Sequence, residues 1–208
     1  SCDPAKFLGG ARAIAGYAPD GLLLRRGDHL QTVNVDALVW AAGALDTLGL
    51  FPGNDCPGVI GPRALYRLVI RDGLDLRGRQ ILIIGSGLDL WLSAALLDAH
   101  GAHISLVVTG DGIPAELPVA VDRNWQLNTG LTLESISTPS RKDLRARFTP
   151  AAVGESTSGS HLTLDADLVV ICNRGKPAYD IPYQLGADLT LQPALGGFAP
   201  ARSTDSDP

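Results

Sequence analysis

The chain has 208 residues, of which 45% are hydrophobic and 5% aromatic, so it can bury a sizeable core built mainly from aliphatic side chains. Its formal net charge of −5 argues against nucleic acid or an anionic membrane as the main partner, because either would favour a basic face. No apolar run reaches the ~18 residues that a membrane span needs, and no signal-peptide pattern opens the sequence.

Cysteine and histidine usage indicates neither a disulfide framework nor a metal site. Cys2, Cys56 and Cys172 form no Cys-x-x-Cys motif, and an odd number of widely spaced cysteines is typical of a reducing compartment, so we expect a cytoplasmic protein. Cys172 lies in an apolar run and is expected to act as a small apolar side chain. His100 and His103 lack further ligands at suitable spacing, and we predict no metal site.

The first seventy residues carry hairpin, strand and helix signals. Residues 22–25 and 30–33 flank the turn Arg26-Gly27-Asp28, which predicts a β-hairpin. Residues 37–40 are predicted to form a short buried strand. After a Pro/Gly-rich loop, a helix is predicted from Gly61 to about Arg71, with proline in its first turn.

Residues 80–101 read QILIIGSGLDLWLSAALLDAHG: an apolar strand, a glycine turn and an apolar-periodic helix. This order places the amide groups of a helix N-terminus where they can bind a pyrophosphate. In the corresponding fingerprint, the first glycine allows the turn and the second lets the backbone approach the ligand. Gly85 and Gly87 hold these two positions. We therefore predict that the backbone from Gly85 through Ser86 and Gly87 to Leu88 binds a dinucleotide.

The same motif departs from its usual pattern at three places. Leu90 stands where the third glycine allows close packing of helix and strand, and Asp89 brings a carboxylate into the first helical turn. An acidic residue is expected at the end of the next strand to bind the ribose hydroxyls. Thr109 occupies that position, and Asp111 follows two residues later. We predict that Thr109 lies near the ribose, as a weaker ligand than a carboxylate.

The remaining elements complete an α/β fold. We predict a Rossmann-like parallel sheet with helices on both faces and an antiparallel β excursion. The predicted elements are a strand at 104–108, a helix at 118–129, antiparallel strands at 131–137, 144–148 and 162–164, and a buried parallel strand at 167–172. After this last strand, Arg174, Gly175 and Lys176 would lie above the carboxyl ends of the strands, where a basic pair could hold a phosphate or simply form a solvated loop.

Several segments resemble one enzyme family over residues 21–202. They are DALVWAAGALDTLGLFPGNDCPGVIGPR at 36–63, GRQILIIGSGLDLW at 78–91, ADLVVICNRGKPAYDI at 166–181, LGADL at 185–189 and PALGGFAPAR at 193–202. Together they are similar to the flavin-dependent amine and imino-acid dehydrogenases. This family includes the A subunit of opine oxidase, the B subunit of hydrogen cyanide synthase, and the α subunits of dye-linked proline dehydrogenase and heterotetrameric sarcosine oxidase.

The resemblance implies an architecture in which an NAD-type domain is inserted into an outer FAD domain. It implies a remnant of the outer domain at 1–60, the inserted dinucleotide-binding domain at 61–180 and a return segment at 181–208. The chain lacks both flavin signatures of the family, so FAD is expected only in a complete enzyme. The expected ligand here is NAD(P) or an adenine nucleotide, and the expected partner is a second subunit or a flanking flavin domain.

Two other functions remain open at this level. Because Asp89 and Leu90 depart from the fingerprint, the fold could serve as a non-catalytic docking module whose nucleotide site has decayed. The weaker alternative is a stand-alone NAD(P)-dependent reductase.

Overall fold

The computed structural model describes residues 7–17, 21–109, 125–140, 143–151, 161–195 and 197–201. The chain divides into two compact units, one over Asp46–Arg174 and the other combining Ser1–Leu45 with Gly175–Pro208. Among the described residues, no helix is both long enough and apolar enough to cross a membrane.

The strands are, in chain order, β1 Ala11–Tyr17, β2 Gly21–Arg26, β3 His29–Val33, β4 Ala44–Leu45, β5 Val59–Ile60, β6 Gln80–Gly85, β7 His103–Val108, β8 Gln126–Thr129, β9 Leu131–Ser137, β10 Leu144–Pro150, β11 Leu162–Ala166, β12 Leu168–Cys172, β13 Lys176–Pro177, β14 Leu189–Gln192 and β15 Gly197–Pro200. The helices are α1 Pro62–Tyr66, which continues as a π-helical segment over Arg67–Arg71, α2 Leu88–Ala99 and α3 Asp180–Gln184; a 3₁₀ turn spans Pro193–Leu195.

A parallel sheet forms the centre of the 46–174 unit, with the strand order β5-β12-β6-β7-β8. β6 pairs along its length with β12 on one side and β7 on the other, so that Gly85 lies opposite both Cys172 and Val108. The chain leaves β6 through α2 to reach β7, whereas β12 returns on the opposite side. The strand order therefore reverses at β6, and the carboxyl ends of β6 and β12 form a topological switch point, the usual ligand crevice of such sheets.

The two faces of this sheet are buried by different layers. One face packs against α1, the π-helical segment and α2, through a core that includes Leu65, Val69, Leu90, Trp91 and Leu97. The other face is covered by the antiparallel sheet β11-β10-β9, through Ile136, Leu144, Ala146, Phe148 and Ala166. With both faces covered, β6 and β12 read as nearly continuous apolar runs. The predicted fold class, a Rossmann-like parallel sheet with helices and an antiparallel excursion, is confirmed. The prediction of helices on both faces is wrong for the described residues, because the antiparallel sheet covers the face that does not carry α1 and α2.

The other unit is built from small antiparallel pairings. β1, β2 and β3 form a meander in which the predicted hairpin around Gly27 is confirmed. β13 pairs with β4, and β14 pairs with β15. The Trp40 indole donates a hydrogen bond to the Ala178 carbonyl at 2.6 Å, and the Gly16 amide donates to the Gln184 side chain at 2.8 Å. These bonds join the first and last segments of the sequence within this unit.

Two predicted elements are wrong or lie partly outside the description. Residues 37–40 form no strand, and Val39 is 91% exposed, because no neighbouring strand of the described structure pairs with this segment. The helix predicted at 118–129 is contradicted over its end, where Gln126–Thr129 is the edge strand β8, paired in parallel with β7. Residues 118–124 lie outside the described residues. The predicted domain boundaries at 60 and 180 stay a prediction.

Candidate functional site

The turn after β6 begins at a position that only glycine can occupy. Gly85 has a φ of +141°, and a Cβ at this position would stand 2.1 Å from the carbonyl oxygen of Cys172. The same carbonyl accepts a hydrogen bond from the Ser86 amide at 3.1 Å. Gly85 therefore lets β6 end in close contact with β12, directly at the switch point.

The second glycine leaves the turn open. Gly87 is the N-cap of α2, with φ +78° and ψ −170°, a region that is essentially restricted to glycine. A Cβ there would meet no atom of the described residues within 4 Å. The N-cap glycine supplies no side-chain cap to the helix, and Leu88 in the first turn is 59% exposed, so the first amides of α2 receive no hydrogen bond from an N-cap side chain. The N-terminus of a helix is in general a favourable place for an anionic group.

Leu90, at the third fingerprint position, does not obstruct the turn. Its side chain is fully buried in the core between α2, α1 and the sheet. The leucine therefore replaces the close helix–strand approach of a glycine with side-chain packing, and its side chain points into the core.

A short polar chain lies beneath the turn. The Cys172 thiol donates to the Ser93 hydroxyl at 3.8 Å, and Ser93 donates to the Tyr66 hydroxyl at 3.5 Å. Burial raises the pKa of the Cys172 thiol to about 12, and the negative charge of Asp89 also raises it. Burial is likewise the main reason that the pKa of Tyr66 is raised. Both groups are therefore neutral near pH 7, and Cys172 acts as the predicted small filler of the core.

The end of β7 supplies the position expected to meet the ribose. The Thr109 amide donates to the Gly85 carbonyl at 2.8 Å, so Thr109 lies beside the glycine turn. Asp111 lies outside the described residues. Thr109 is thus adjacent to the predicted turn, while its contact with a ribose stays a prediction.

The basic residues after β12 fall on the two sides of a unit boundary. Arg174 belongs to the 46–174 unit, where its carbonyl accepts a hydrogen bond from the Thr47 hydroxyl at 2.8 Å. Gly175 and Lys176 belong to the other unit, and the Lys176 ammonium lies 4.7 Å from the centroid of the Tyr179 ring. Roles for Arg174 and Gly175 in anion binding stay predictions.

Sequence reasoning missed the residues that hold α1 beside this crevice. The Asp46 carboxylate accepts a hydrogen bond from the Arg63 amide at 2.9 Å and pairs with the Arg63 guanidinium. Asp46 thereby caps α1 from 17 residues away, next to Gly61, where a side chain would collide with it. No local capping pattern reveals such a contact, and the Tyr66–Ser93 bond is equally invisible in the sequence.

Other candidate sites among the described residues would be a cavity or a group of metal-ligating side chains. A cavity of about 790 Å³ lies at the opposite edge of the sheet, but its Arg79 and Asp167 pair with each other at 3.3 Å. No group of three or more His, Cys, Asp or Glu side chains in the described part of the chain could hold a metal ion. The glycine turn between β6 and α2, where no described atom lies within 4 Å of a Cβ on Gly87, is therefore the candidate site.

Comparison with solved structures relates this geometry to known proteins. The chain is similar to an NAD-dependent persulfide reductase from A. fulgidus (19% identity, 89% of this chain and 34% of that one, TM-score 0.62). It is also similar to Lactococcus lactis thioredoxin reductase (17% identity, 87% and 56%, TM-score 0.62) and to a water-forming NADH oxidase from Lactobacillus brevis bound to NADH (18% identity, 88% and 40%, TM-score 0.60). No protein-family model and no curated protein matches the chain.

These likenesses establish the fold. It is the Rossmann-like fold that these two reductases and this oxidase share. The chain spans between about a third and just over half of the length of these structures, from 34% for the persulfide reductase to 56% for the thioredoxin reductase. The activities of those whole proteins are not thereby transferred to this chain.

Proposed function

We propose that this chain binds an NAD-type dinucleotide at the turn between β6 and α2. The observation that carries the proposal is the open cradle at Gly87, beside uncapped amides of a twelve-residue helix and at a topological switch point. Backbone amides and the helix dipole favour a pyrophosphate at this place. The similarity to an oxidase structure that contains NADH supports the same choice of ligand.

The parts of the ligand are assigned by strand order. A dinucleotide lies across the crevice where the order of strands reverses, with its adenosine ribose toward the strand that follows the glycine turn. In this arrangement Thr109, after β7, would lie near the ribose, and the end of β12 with the following Arg174 would remain for the other half. The bound group would supply hydride chemistry, while the residues of this chain would hold and orient it.

We further propose that the chain is part of a flavin-dependent oxidoreductase that oxidises a C–N bond of an amine or imino acid. This finer assignment rests on the family resemblance of residues 36–63, 78–91 and 166–202. In such an enzyme, a flavin on another domain or subunit would accept the hydride. Tight FAD binding by this chain alone is not expected, and a stoichiometric yellow flavin in the purified protein would contradict that part of the proposal.

A thermal-shift titration tests nucleotide binding. NAD, NADP, ATP and FAD are each added to the purified chain, and a ligand at a hundredfold excess over its Kd should stabilise the protein by about 2.7 kcal/mol. The absence of a shift with all four ligands would remove the nucleotide-binding proposal.

A matched pair of variants tests where the ligand binds. Leu88 is exposed in the first turn of α2, so both Leu88→Glu and Leu88→Gln should fold. A bound pyrophosphate near this turn predicts that Leu88→Glu weakens binding by about tenfold relative to Leu88→Gln, because only the glutamate adds a like charge. Equal affinities of the two variants would place the ligand elsewhere.

One observation favours the alternative of a docking module. α2 exposes Leu88 and Leu92 on its outer side, where a surface helix normally presents polar residues. This alternative predicts that all nucleotide titrations are silent and that Leu92→Glu abolishes any association measured by sedimentation velocity.

A further inference from the structure

The carboxylate of Asp89 stands on one particular side of the glycine turn. Asp89 and Ser93 are four residues apart on α2 and therefore share one face of the helix. Ser93 contacts Cys172 of β12 and Tyr66 of α1 at 3.8 Å and 3.5 Å. Asp89 thus occupies the β12 side of the helix, one turn closer to the open end. The negative charge that acts on both Cys172 and Tyr66 agrees with this position.

The β12 side is the side away from the adenosine half of the proposed ligand. Thr109 marks the end of β7, beside Gly85, where the adenosine ribose is placed. Because the dinucleotide crosses the strand reversal, its nicotinamide half must extend toward β12. Among the described residues, no side chain forms an ion pair with Asp89, so its charge is available to a ligand.

We infer, on the basis of the proposed function, that Asp89 makes this site prefer oxidised NAD⁺ over NADH. The two ligands share the same pyrophosphate and differ in the nicotinamide ring, which carries a positive charge only in NAD⁺. The Asp89 carboxylate repels the pyrophosphate of both, and it attracts the ring of NAD⁺ alone. A domain with this preference would release its nucleotide once the ring is reduced.

The effect of the Asp89 charge on ligand preference can be tested with variants that keep the protein folded. Asp89 also interacts favourably with the dipole of α2, and Asp89→Asn loses part of that contribution without opening the core. Asp89→Glu keeps the charge. Asp72, the C-cap of the π-helical segment that follows α1, provides a control. Asp72→Asn changes the net charge by the same amount, next to Gly73, which lines a cavity with His100 at the C-terminal end of α2.

The test is isothermal titration of the purified 208-residue chain with NAD⁺, NADH and ADP-ribose at one low ionic strength. ADP-ribose carries the pyrophosphate without the ring and reports the repulsion alone. In Asp89→Asn, the affinities for NADH and ADP-ribose should rise by similar factors, and that for NAD⁺ should rise less. The preference for NAD⁺ over NADH should fall by about fivefold, the effect of a partly exposed charge pair.

The outcomes separate the two proposals. A reduced preference in Asp89→Asn, with wild-type values in Asp89→Glu and Asp72→Asn, supports the inference. Binding of both nucleotides with an unchanged ratio in Asp89→Asn would overturn the inference while leaving the proposed function intact. If neither nucleotide nor ADP-ribose binds to the wild-type chain, the proposed function fails and the inference fails with it.

Discussion

The close approach of β6 and β12 at Gly85 predicts that a side chain added at this position lowers the free energy of unfolding. In Gly85→Ala, the new Cβ would lie 2.1 Å from the Cys172 carbonyl oxygen, so the strands must separate by about 1 Å to restore ordinary contact. A side chain at φ +141° adds backbone strain of ~1–3 kcal/mol, and overpacking adds a similar amount. Because alanine lowers the conformational entropy of the unfolded chain, it offsets ~0.4–1 kcal/mol of this destabilisation. The expected net destabilisation is about 3 kcal/mol.

Gly87→Ala is the matched control because its strain comes without a collision. Its φ of +78° gives a comparable backbone penalty, but the added Cβ meets no described atom within 4 Å. We expect a loss of about 1 kcal/mol after the same entropic correction. With a slope of ~2 kcal/mol per M urea, the unfolding midpoint should fall by ~1.5 M in Gly85→Ala and ~0.5 M in Gly87→Ala.

The assay is urea unfolding followed by tryptophan fluorescence. Trp91 is buried in the core of the 46–174 unit and reports on it directly. A Trp40→Phe background removes the tryptophan of the other unit, and far-UV circular dichroism checks that the transition is shared by both probes. Equal midpoints for the two alanine variants would refute the proposed contact between Gly85 and the Cys172 carbonyl.

Three further outcomes follow from the described contacts. Leu90→Ala should destabilise the protein by ~2–5 kcal/mol, because it removes a buried side chain. In the same urea assay, Leu92→Ala at an exposed position should change the stability by no more than ~0.5 kcal/mol. Similar losses for the two variants would contradict the burial of Leu90. Because burial raises the pKa of Cys172 to about 12, its thiol should resist iodoacetamide at pH 8 and react only after the chain unfolds. Mass spectrometry of the labelled peptides checks this, and rapid labelling of Cys172 in the folded chain would contradict it. Hydrogen bonds from Arg77 lower the pKa of Asp75 to about 2, so its stabilising contribution should be present above about pH 4 and be lost as the pH falls toward 2. Carboxyl NMR titration should give that pKa in the wild-type chain, and a value near 4 would show that the Arg77 contact does not form in solution.

The parallel sheet could be predicted because its strands carry a strong local signal. Burial on both faces requires nearly continuous apolar runs, and β6 and β12 show them without ambiguity. The glycine turn was equally accessible, since Gly85 and Gly87 are separated by the spacing that a strand-to-helix turn needs. The predicted strand at 37–40 failed because a short apolar run does not reveal whether a neighbouring strand is present to pair with it.

Contacts between distant residues account for what could not be predicted. Nothing near Gly61 in the sequence indicates that Asp46 caps α1, and nothing near Ser93 indicates a bond to Tyr66. The orientation of Leu90 belongs to the same group. In the sequence, a leucine at a glycine position indicates a nucleotide site that has been lost. In the structure, the Leu90 side chain is buried in the core, and no described atom lies within 4 Å of a Cβ on Gly87.

The order of apolar runs and glycines thus determined the type of fold and the location of the turn, because these depend on interactions between near neighbours in the chain. Whether the turn is open, which side of it Asp89 faces and what holds α1 in place were decided only by tertiary contacts. These are the approach of β12 to Gly85, the bonds of Ser93 to Cys172 and Tyr66, and the bond of Asp46 to Arg63. Those properties depend on residues that are brought together across tens of positions, and no local pattern encodes such distances.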